Sequence, residues 1–126
     1  MPARVIQDDR MPAPLGPYSH AVAALGELVF ISGQAGMDPE TGEVPAGFEQ
    51  QARNAFENLS RVVAAADLQM SDVVKTTVYL ADASEFGTLN KLFAEHFPSS
   101  PPTRATPIVQ LPKGLLISIE AIAVRG

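Results

Sequence analysis

Pro102-Thr103-Arg104, Leu111-Pro112-Lys113-Gly114 and the run Leu115-Leu116-Ile117-Ser118-Ile119-Glu120-Ala121-Ile122-Ala123-Val124 form the stretch around which the chain is organised. Residues 104 to 111 are mostly β-compatible, Pro112-Lys113-Gly114 carries turn residues, and residues 115 to 124 make a long apolar strand, so the stretch reads as a hairpin. Antiparallel pairing about that turn would bring Arg104 opposite Glu120 or one place from it. Two readings follow. The two charges are either a simple ion pair at the strand ends, or a small polar site in which a guanidinium grips a carboxylate through two hydrogen bonds while Glu120 orients or deprotonates water.

Working outward, Asp82 and Glu85 have capping-box spacing, and Phe86, Leu89, Phe93 and Phe97 make the apolar stripe of a helix. Asn90 lies at the edge of that stripe, where it either bridges backbone groups or faces a polar pocket. Before it, the β-branched run Val73-Val74-Lys75-Thr76-Thr77-Val78-Tyr79-Leu80 is a strand. A longer helix of about five turns is expected from Phe48 to Ala66, its core stripe comprising Phe48, Ala52, Ala55, Phe56, Leu59, Val62, Val63 and Ala66. Its polar residues Glu49, Gln50, Arg53, Glu57, Asn58 and Arg61 are most simply a solvated face. The first part of the chain offers a short strand at residues 3 to 7 and a stiff loop punctuated by Pro12, Pro14, Gly16 and Pro17. A two-stranded hairpin built from residues 21–25 and 28–32 then closes at Ser32-Gly33-Gln34.

The order strands, helix, strand, helix, strands predicts an α+β fold with two helices on one face of a mainly antiparallel sheet. In the last strand Ile117, Ile119, Ala121 and Ala123 point one way, and Leu116, Ile122 and Val124 point the other. Two helices cover one face only, so self-association is expected to cover the second.

The 126 residues suit one domain, 1–126. A 46% hydrophobic composition with formal charge −5 argues for a soluble protein and against nucleic acid as a partner. With no cysteine, disulfides, thiolate metal sites and a cysteine nucleophile are excluded. His20 and His96 lack metal-ligand spacing, so no metal is expected. No apolar stretch has the length of a signal peptide or membrane span, which makes the cytoplasm the expected compartment.

Seven short motifs together closely resemble the RidA/YjgF family of reactive-intermediate deaminases: Gly16-Pro17-Tyr18-Ser19, Ile31-Ser32-Gly33-Gln34, Val74-Lys75-Thr76-Thr77-Val78, Asn90, Pro102-Thr103-Arg104, Leu111-Pro112-Lys113-Gly114 and Ile119-Glu120-Ala121-Ile122-Ala123. The resemblance spans nearly the whole chain. It implies a chorismate-mutase-like fold assembled as a homotrimer with sites in clefts between subunits. It also implies cofactor-free hydrolysis of 2-imino acids, or their enamine tautomers, to 2-oxo acids and ammonia, downstream of pyridoxal-phosphate enzymes that generate the imines. By the same resemblance Arg104 holds the substrate carboxylate, Glu120 positions the attacking water, and Tyr18, Ser32, Gly33 and Asn90 line the cleft.

This chain departs from the family pattern at Thr106, where many relatives have cysteine. Its backbone N–H is expected to serve the substrate and its side chain to be dispensable. The interval from Arg104 to Leu111 also looks one residue short and contains Pro107, which predicts a bulge or altered register. His20 stands where glutamine is common. Two competing functions remain: a non-catalytic trimer that binds small carboxylates or acts as a regulator or holdase, and an endoribonuclease, against which the acidic balance speaks.

Overall fold

The computed structural model describes residues 3–126, and the elements follow the expected order. Strand β1 (Ala3–Ile6) and β2 (Ala21–Ala24) are followed by β3 (Glu27–Ala35), helix α1 (Phe48–Ala65), β4 (Val73–Leu80), α2 (Phe86–His96), β5 (Thr103–Ala105) and β6 (Ile117–Arg125). Asp82 accepts a hydrogen bond from the Ser84 N–H at 2.9 Å and opens a single 3₁₀ turn, Ala83–Glu85, ahead of α2. The result is a small α+β fold with a mixed sheet and two helices.

The expected 104–124 hairpin does not form. The four-stranded sheet runs β3-β6-β4-β5, so β4 is inserted between the two supposed hairpin arms. β4 pairs antiparallel with β6 and parallel with β5, placing Thr77 beside Glu120 and Thr76 beside Arg104. Prolines 101, 102 and 107 flank β5 and cannot donate to a ladder, so a three-residue strand fits best at a sheet edge. The long, β-branched β4 instead takes the central place beside β6. Residues 106–116 cross the end of β4, held where the Leu80 N–H donates to the Pro107 carbonyl and the Val109 N–H donates to the Leu80 carbonyl.

Pro107 does not shift the register. Ile108 bridges Leu80 with the same offset that relates Ala105 to Thr77. Proline therefore interrupts the ladder without adding a residue to it.

The second expected hairpin is also replaced. β2 pairs with β1 in a separate two-stranded sheet, while β3 pairs with β6. The separation occurs at Gly26, whose φ of 143° suits glycine and whose missing side chain lets the chain cross the end of β6. A Cβ there would lie 2.1 Å from the Arg125 carbonyl oxygen.

Alternation along the central strands sorts the sheet into two faces. Ile117, Ile119, Ala121 and Ala123 are buried in one core with Phe56, Leu59, Leu89, Leu92 and Phe93 from the helices. The opposite face carries Leu28 and Phe30 on β3, 52% and 71% exposed, alongside the half-buried Ile122. Leu116 and Val124, expected on that face, depart from the pattern. Leu116 precedes β6 and packs against the core, and Val124 is buried beneath the Gly26 crossing.

α1 also contains a buried polar residue that its apolar stripe does not announce. Gln51 is fully buried and donates through Nε2 to the Pro45 carbonyl at 2.7 Å and the Gly114 carbonyl at 3.1 Å. Its Oε1 accepts from the Leu116 N–H at 2.8 Å, so one side chain ties the turn before β6 to the helix. Adjacent Gln50 is exposed and bonds only Asn54. Gln51→Ala is expected to lower the unfolding free energy by about 3 kcal/mol, because it removes three hydrogen bonds made by a fully buried side chain. Gln50→Ala should cost less than about 0.5 kcal/mol. Urea unfolding of both variants checks this contrast, and equal losses would show that the Gln51 bonds are replaced by water.

Candidate functional site

The seven residues singled out in the sequence fall into two clusters on opposite faces of the sheet. In the first, Arg104 leaves β5 on the helix side, in register with the buried Thr76. Its guanidinium carbon lies 4.8 Å from the Tyr18 ring centroid, 5.0 Å from that of Phe93 and 5.9 Å from that of Phe86. Such faces attract a cation through the ring quadrupole. Burial pulls the guanidinium below its usual pKa range, with the Tyr18 hydroxyl opposing. It nevertheless remains a cation at neutral pH.

The donors of this cation are only partly satisfied. Nε donates to the Thr106 hydroxyl at 2.9 Å, so Thr106, expected to contribute only backbone, holds the guanidinium with its side chain. Among the described residues Nη1 is buried with no acceptor, and the Asn90 Oδ1 is buried with no donor. Asn90 therefore does not bridge backbone groups among the described residues, and its Oδ1 is left buried without a donor. The Asn90 Oδ1 and the other guanidinium nitrogen, Nη2, adjoin Gly16: a Cβ there would lie 2.7 Å from the Asn90 Oδ1 and 2.9 Å from the Arg104 Nη2. Among the described residues no carboxylate forms an ion pair with Arg104.

The loop that supplies Gly16 and Tyr18 is fixed at both ends. Ser19 bridges Thr103 in parallel, its N–H donating to the Pro102 carbonyl and its hydroxyl to the Pro101 carbonyl. The Tyr18 hydroxyl accepts from the Leu15 N–H at 3.2 Å. His20 is exposed, with Nε2 against the Pro12 carbonyl.

The second cluster lies on the face without helices. Between Ile31 and Gln34 the β3–β6 register shifts, so Ser32 and Gly33 together oppose Glu120. This is a β-bulge, a device that re-aims backbone and side chains at the edge of a sheet. Gly33 also permits close approach to β6, since a Cβ there would lie 2.6 Å from the Ser118 hydroxyl. Ser32, Glu120, Lys75, Thr77, Phe30 and Ile122 line an open cleft of about 290 Å³.

Glu120 accepts a hydrogen bond from the Tyr79 hydroxyl at 2.8 Å, and the bonded carboxylate holds that phenol above its usual pKa range. Lys75 donates to the Thr77 hydroxyl at 3.3 Å. Among the described residues no three histidines, aspartates or glutamates gather where they could hold a metal ion.

Arg104 and Glu120 are thus neither an ion pair nor neighbours within one chain. β4 separates their strands, and they leave the sheet on opposite faces. The first cluster unites Tyr18, Asn90, Arg104 and Thr106, and the second unites Ser32, Gly33 and Glu120. Sequence reasoning missed Tyr79, Lys75 and Thr77 as neighbours of Glu120. Their period-two spacing on a strand was the available signal, but only the β4–β6 register reveals which residue they face.

The family model for endoribonuclease L-PSP matches residues 9–125. A 2-iminobutanoate/2-iminopropanoate deaminase from Mus musculus is 44% identical over 125 residues, covering 98% of this chain and 92% of its own. The crystal structure of RidA from an Antarctic Psychrobacter superposes with a TM-score of 0.76 at 43% identity, covering 97% of this chain and 99% of the other. E. coli TdcF with bound serine superposes at 0.73 with 41% identity, covering 98% and 99%.

The Arg104–Thr106 bond gives the Thr106 side chain a testable role. Thr106→Val keeps the shape but removes the acceptor, and it is expected to weaken binding of a small carboxylate such as pyruvate by roughly 3–10-fold. Thr106→Ser should bind like the parent. Calorimetric titration of the three proteins decides, and an unaffected valine variant would show that the aromatic rings alone hold the guanidinium.

Proposed function

The chain belongs to the endoribonuclease L-PSP family, which includes the RidA/YjgF deaminases, and from that membership we propose that it hydrolyses reactive 2-imino acids to 2-oxo acids and ammonia. Small substrates of the 2-iminobutanoate and 2-aminoacrylate type are the proposed class. The observation that carries this reading is the state of Arg104: a half-buried cation that, among the described residues, has no acceptor for its Nη1 and no carboxylate paired with it. A planar guanidinium in that state suits a substrate carboxylate. The neighbouring Asn90 Oδ1 can accept from a substrate N–H. The serine in the TdcF structure carries the same pairing of carboxylate and nitrogen, which supports the assignment.

The chemical task is modest, because imines already hydrolyse in water and the protein mainly supplies orientation and a proton path. Arg104 fixes the carboxylate and hence the imine carbon. Glu120 takes a proton from water as the new C–O bond forms and delivers it to the imine nitrogen, giving a carbinolamine. It then takes the hydroxyl proton as the carbonyl forms and passes it to nitrogen as the C–N bond breaks and ammonia leaves. An enamine substrate enters by protonation at carbon, which converts it to the imine. No step calls for a cofactor.

Within one chain Arg104 and Glu120 lie on opposite faces, so the reaction needs a second copy. The proposal is a chorismate-mutase-like homotrimer in which the Arg104 cluster of one subunit meets the Glu120 cluster of the next. Exposed Leu28 and Phe30 beside Glu120 support an interface on that face. The family match over residues 9–125 supports reading 1–126 as one domain. No helix among the described residues is long and apolar enough to cross a membrane. The cytoplasm, where pyridoxal-phosphate enzymes release such imines, is the proposed compartment.

The defining experiment generates 2-iminobutanoate with a pyridoxal-phosphate dehydratase in the same tube and follows its consumption. Arg104→Lys should keep the fold yet reduce kcat/KM by roughly 10–150-fold, since an ammonium cannot reproduce the two-bond grip. Glu120→Gln should reduce kcat by about 10²–10⁴-fold while sparing pyruvate binding.

A mixture tests the shared site directly. Co-refolding Arg104→Ala with Glu120→Gln chains should restore about a quarter of the parental activity, because random assembly rebuilds about one site in four. No recovery in mixed trimers, or a monomer by light scattering, would overturn the intersubunit site. A folded trimer of the parent chain that leaves the imine untouched would overturn the deaminase reading and leave carboxylate binding as the function.

A further inference from the structure

Glu120 is not free to rotate, because Tyr79 holds it. The two side chains project from the same face of neighbouring strands. Glu120 pairs with Thr77 and Tyr79 pairs with Ser118, so the two are diagonal neighbours across the β4–β6 ladder. A phenol is long enough to span that diagonal. It does so through a 2.8 Å hydrogen bond from the Tyr79 hydroxyl to Oε1. Among the described residues this is the only hydrogen bond Glu120 receives, so Oε2 has no protein donor and the side chain lines the cleft shared with Ser32.

We propose that Tyr79 is a positioning residue for Glu120, pinning one carboxylate oxygen so that the other is presented to the attacking water. This rests on the deaminase reading and adds a residue to it. Three features favour positioning over incidental contact. The donor is neutral, so it orients the carboxylate without supplying a formal opposite charge that would compete for it. The cation in the cleft, Lys75, donates to the Thr77 hydroxyl and forms no ion pair with Glu120 among the described residues. From β3, the facing residues Phe30 and Ser32 carry no titratable group, so Lys75 and Tyr79 are the titratable neighbours of Glu120 within the chain. A glutamate also has several rotatable bonds to fix, and a tethered oxygen removes part of that freedom before substrate arrives.

Tyr79→Phe deletes the hydroxyl and keeps the ring. Expected is a fall in kcat of roughly 10–100-fold, the range of one charge-assisted hydrogen bond, with KM within about twofold because Arg104 still grips the substrate. In a Glu120→Gln background the same change should cost nothing further, since Tyr79 acts through the carboxylate.

A readout independent of turnover accompanies these. The chain has two tyrosines, and ultraviolet titration should show one phenol ionising above the ordinary tyrosine range. That high titration should be lost in Tyr79→Phe and return to the ordinary range in Glu120→Gln. Unchanged kcat in Tyr79→Phe, an additive loss in the double variant, or an ordinary phenol titration in the parent would each overturn the proposal. Failure of the deaminase reading itself looks different: the parent protein would leave the imine untouched while its Tyr79 phenol still titrated high. Should Tyr79→Phe not fold, the titrations of the parent and of Glu120→Gln still decide whether the tether exists, and kcat of Tyr79→Leu, an apolar strand side chain with no donor, decides whether it matters.

Discussion

The antiparallel ladder between β4 and β6 is the constraint from which the rest of the molecule follows. Val73–Leu80 and Ile117–Ala123 occupy the centre of the sheet, and their register assigns each residue to the helix face or the open face. A one-residue slip of β6 would turn Ile117, Ile119 and Ala121 outward and drive Glu120 into the apolar core. Burying that carboxylate without a partner would cost several kcal/mol. The charge of Glu120, proposed to serve the chemistry, therefore also protects the register. With that ladder set, β3 takes the remaining edge of β6 and places its bulge opposite Glu120. The short β5 takes the far edge of β4 and delivers Arg104 to the other face.

The two clusters differ in physical character as well as in position. Around Arg104 the environment is aromatic and half-buried, with the Gly16 backbone pressed close, conditions under which a cation is costly to leave unpaired and a fitting anion is held strongly. Around Glu120 it is open, with hydroxyl groups and one lysine at hand, conditions suited to a carboxylate that must exchange protons with water. Placing them on two faces of one chain prevents an ion pair between them within that chain.

Much of this was legible in the sequence, with limits that have physical causes. Helices α1 and α2 and strand β4 are local objects, and their 3.6- and 2-residue periods reveal them within a residue or so. The core-facing set Ile117, Ile119, Ala121 and Ala123 of β6 was equally visible, and the family resemblance singled out the residues that gather in the two clusters. What periodicity cannot give is the identity of a strand's neighbour. Residues 104 to 124 look like a hairpin because a turn sequence separates two β-compatible runs, yet β4, about 25 residues earlier, has more ladder donors to offer than the proline-flanked β5. Gln51 illustrates a second limit. It sits one position, or about 100° of helix, from the exposed Gln50. An apolar stripe says nothing about a polar residue recruited to satisfy a distant turn. Tyr79 reads as a strand aromatic until the register places it diagonally across from Glu120.

The two edges of the large sheet are not equally safe places for the backbone to meet strangers. At one end β5 offers three residues, interrupted by Pro107 and overlaid at Thr103 by Ser19, too little template for a foreign strand. At the other end β3 runs nine residues, carries exposed Leu28 and Phe30, and is blunted chiefly by the Ser32-Gly33 bulge. Of the two edges, β3 therefore offers a foreign strand the longer template. The same kink that sets backbone beside Glu120 also guards the chain against amyloid-like stacking, so smoothing the bulge by deleting one of its residues would cost solubility together with the site.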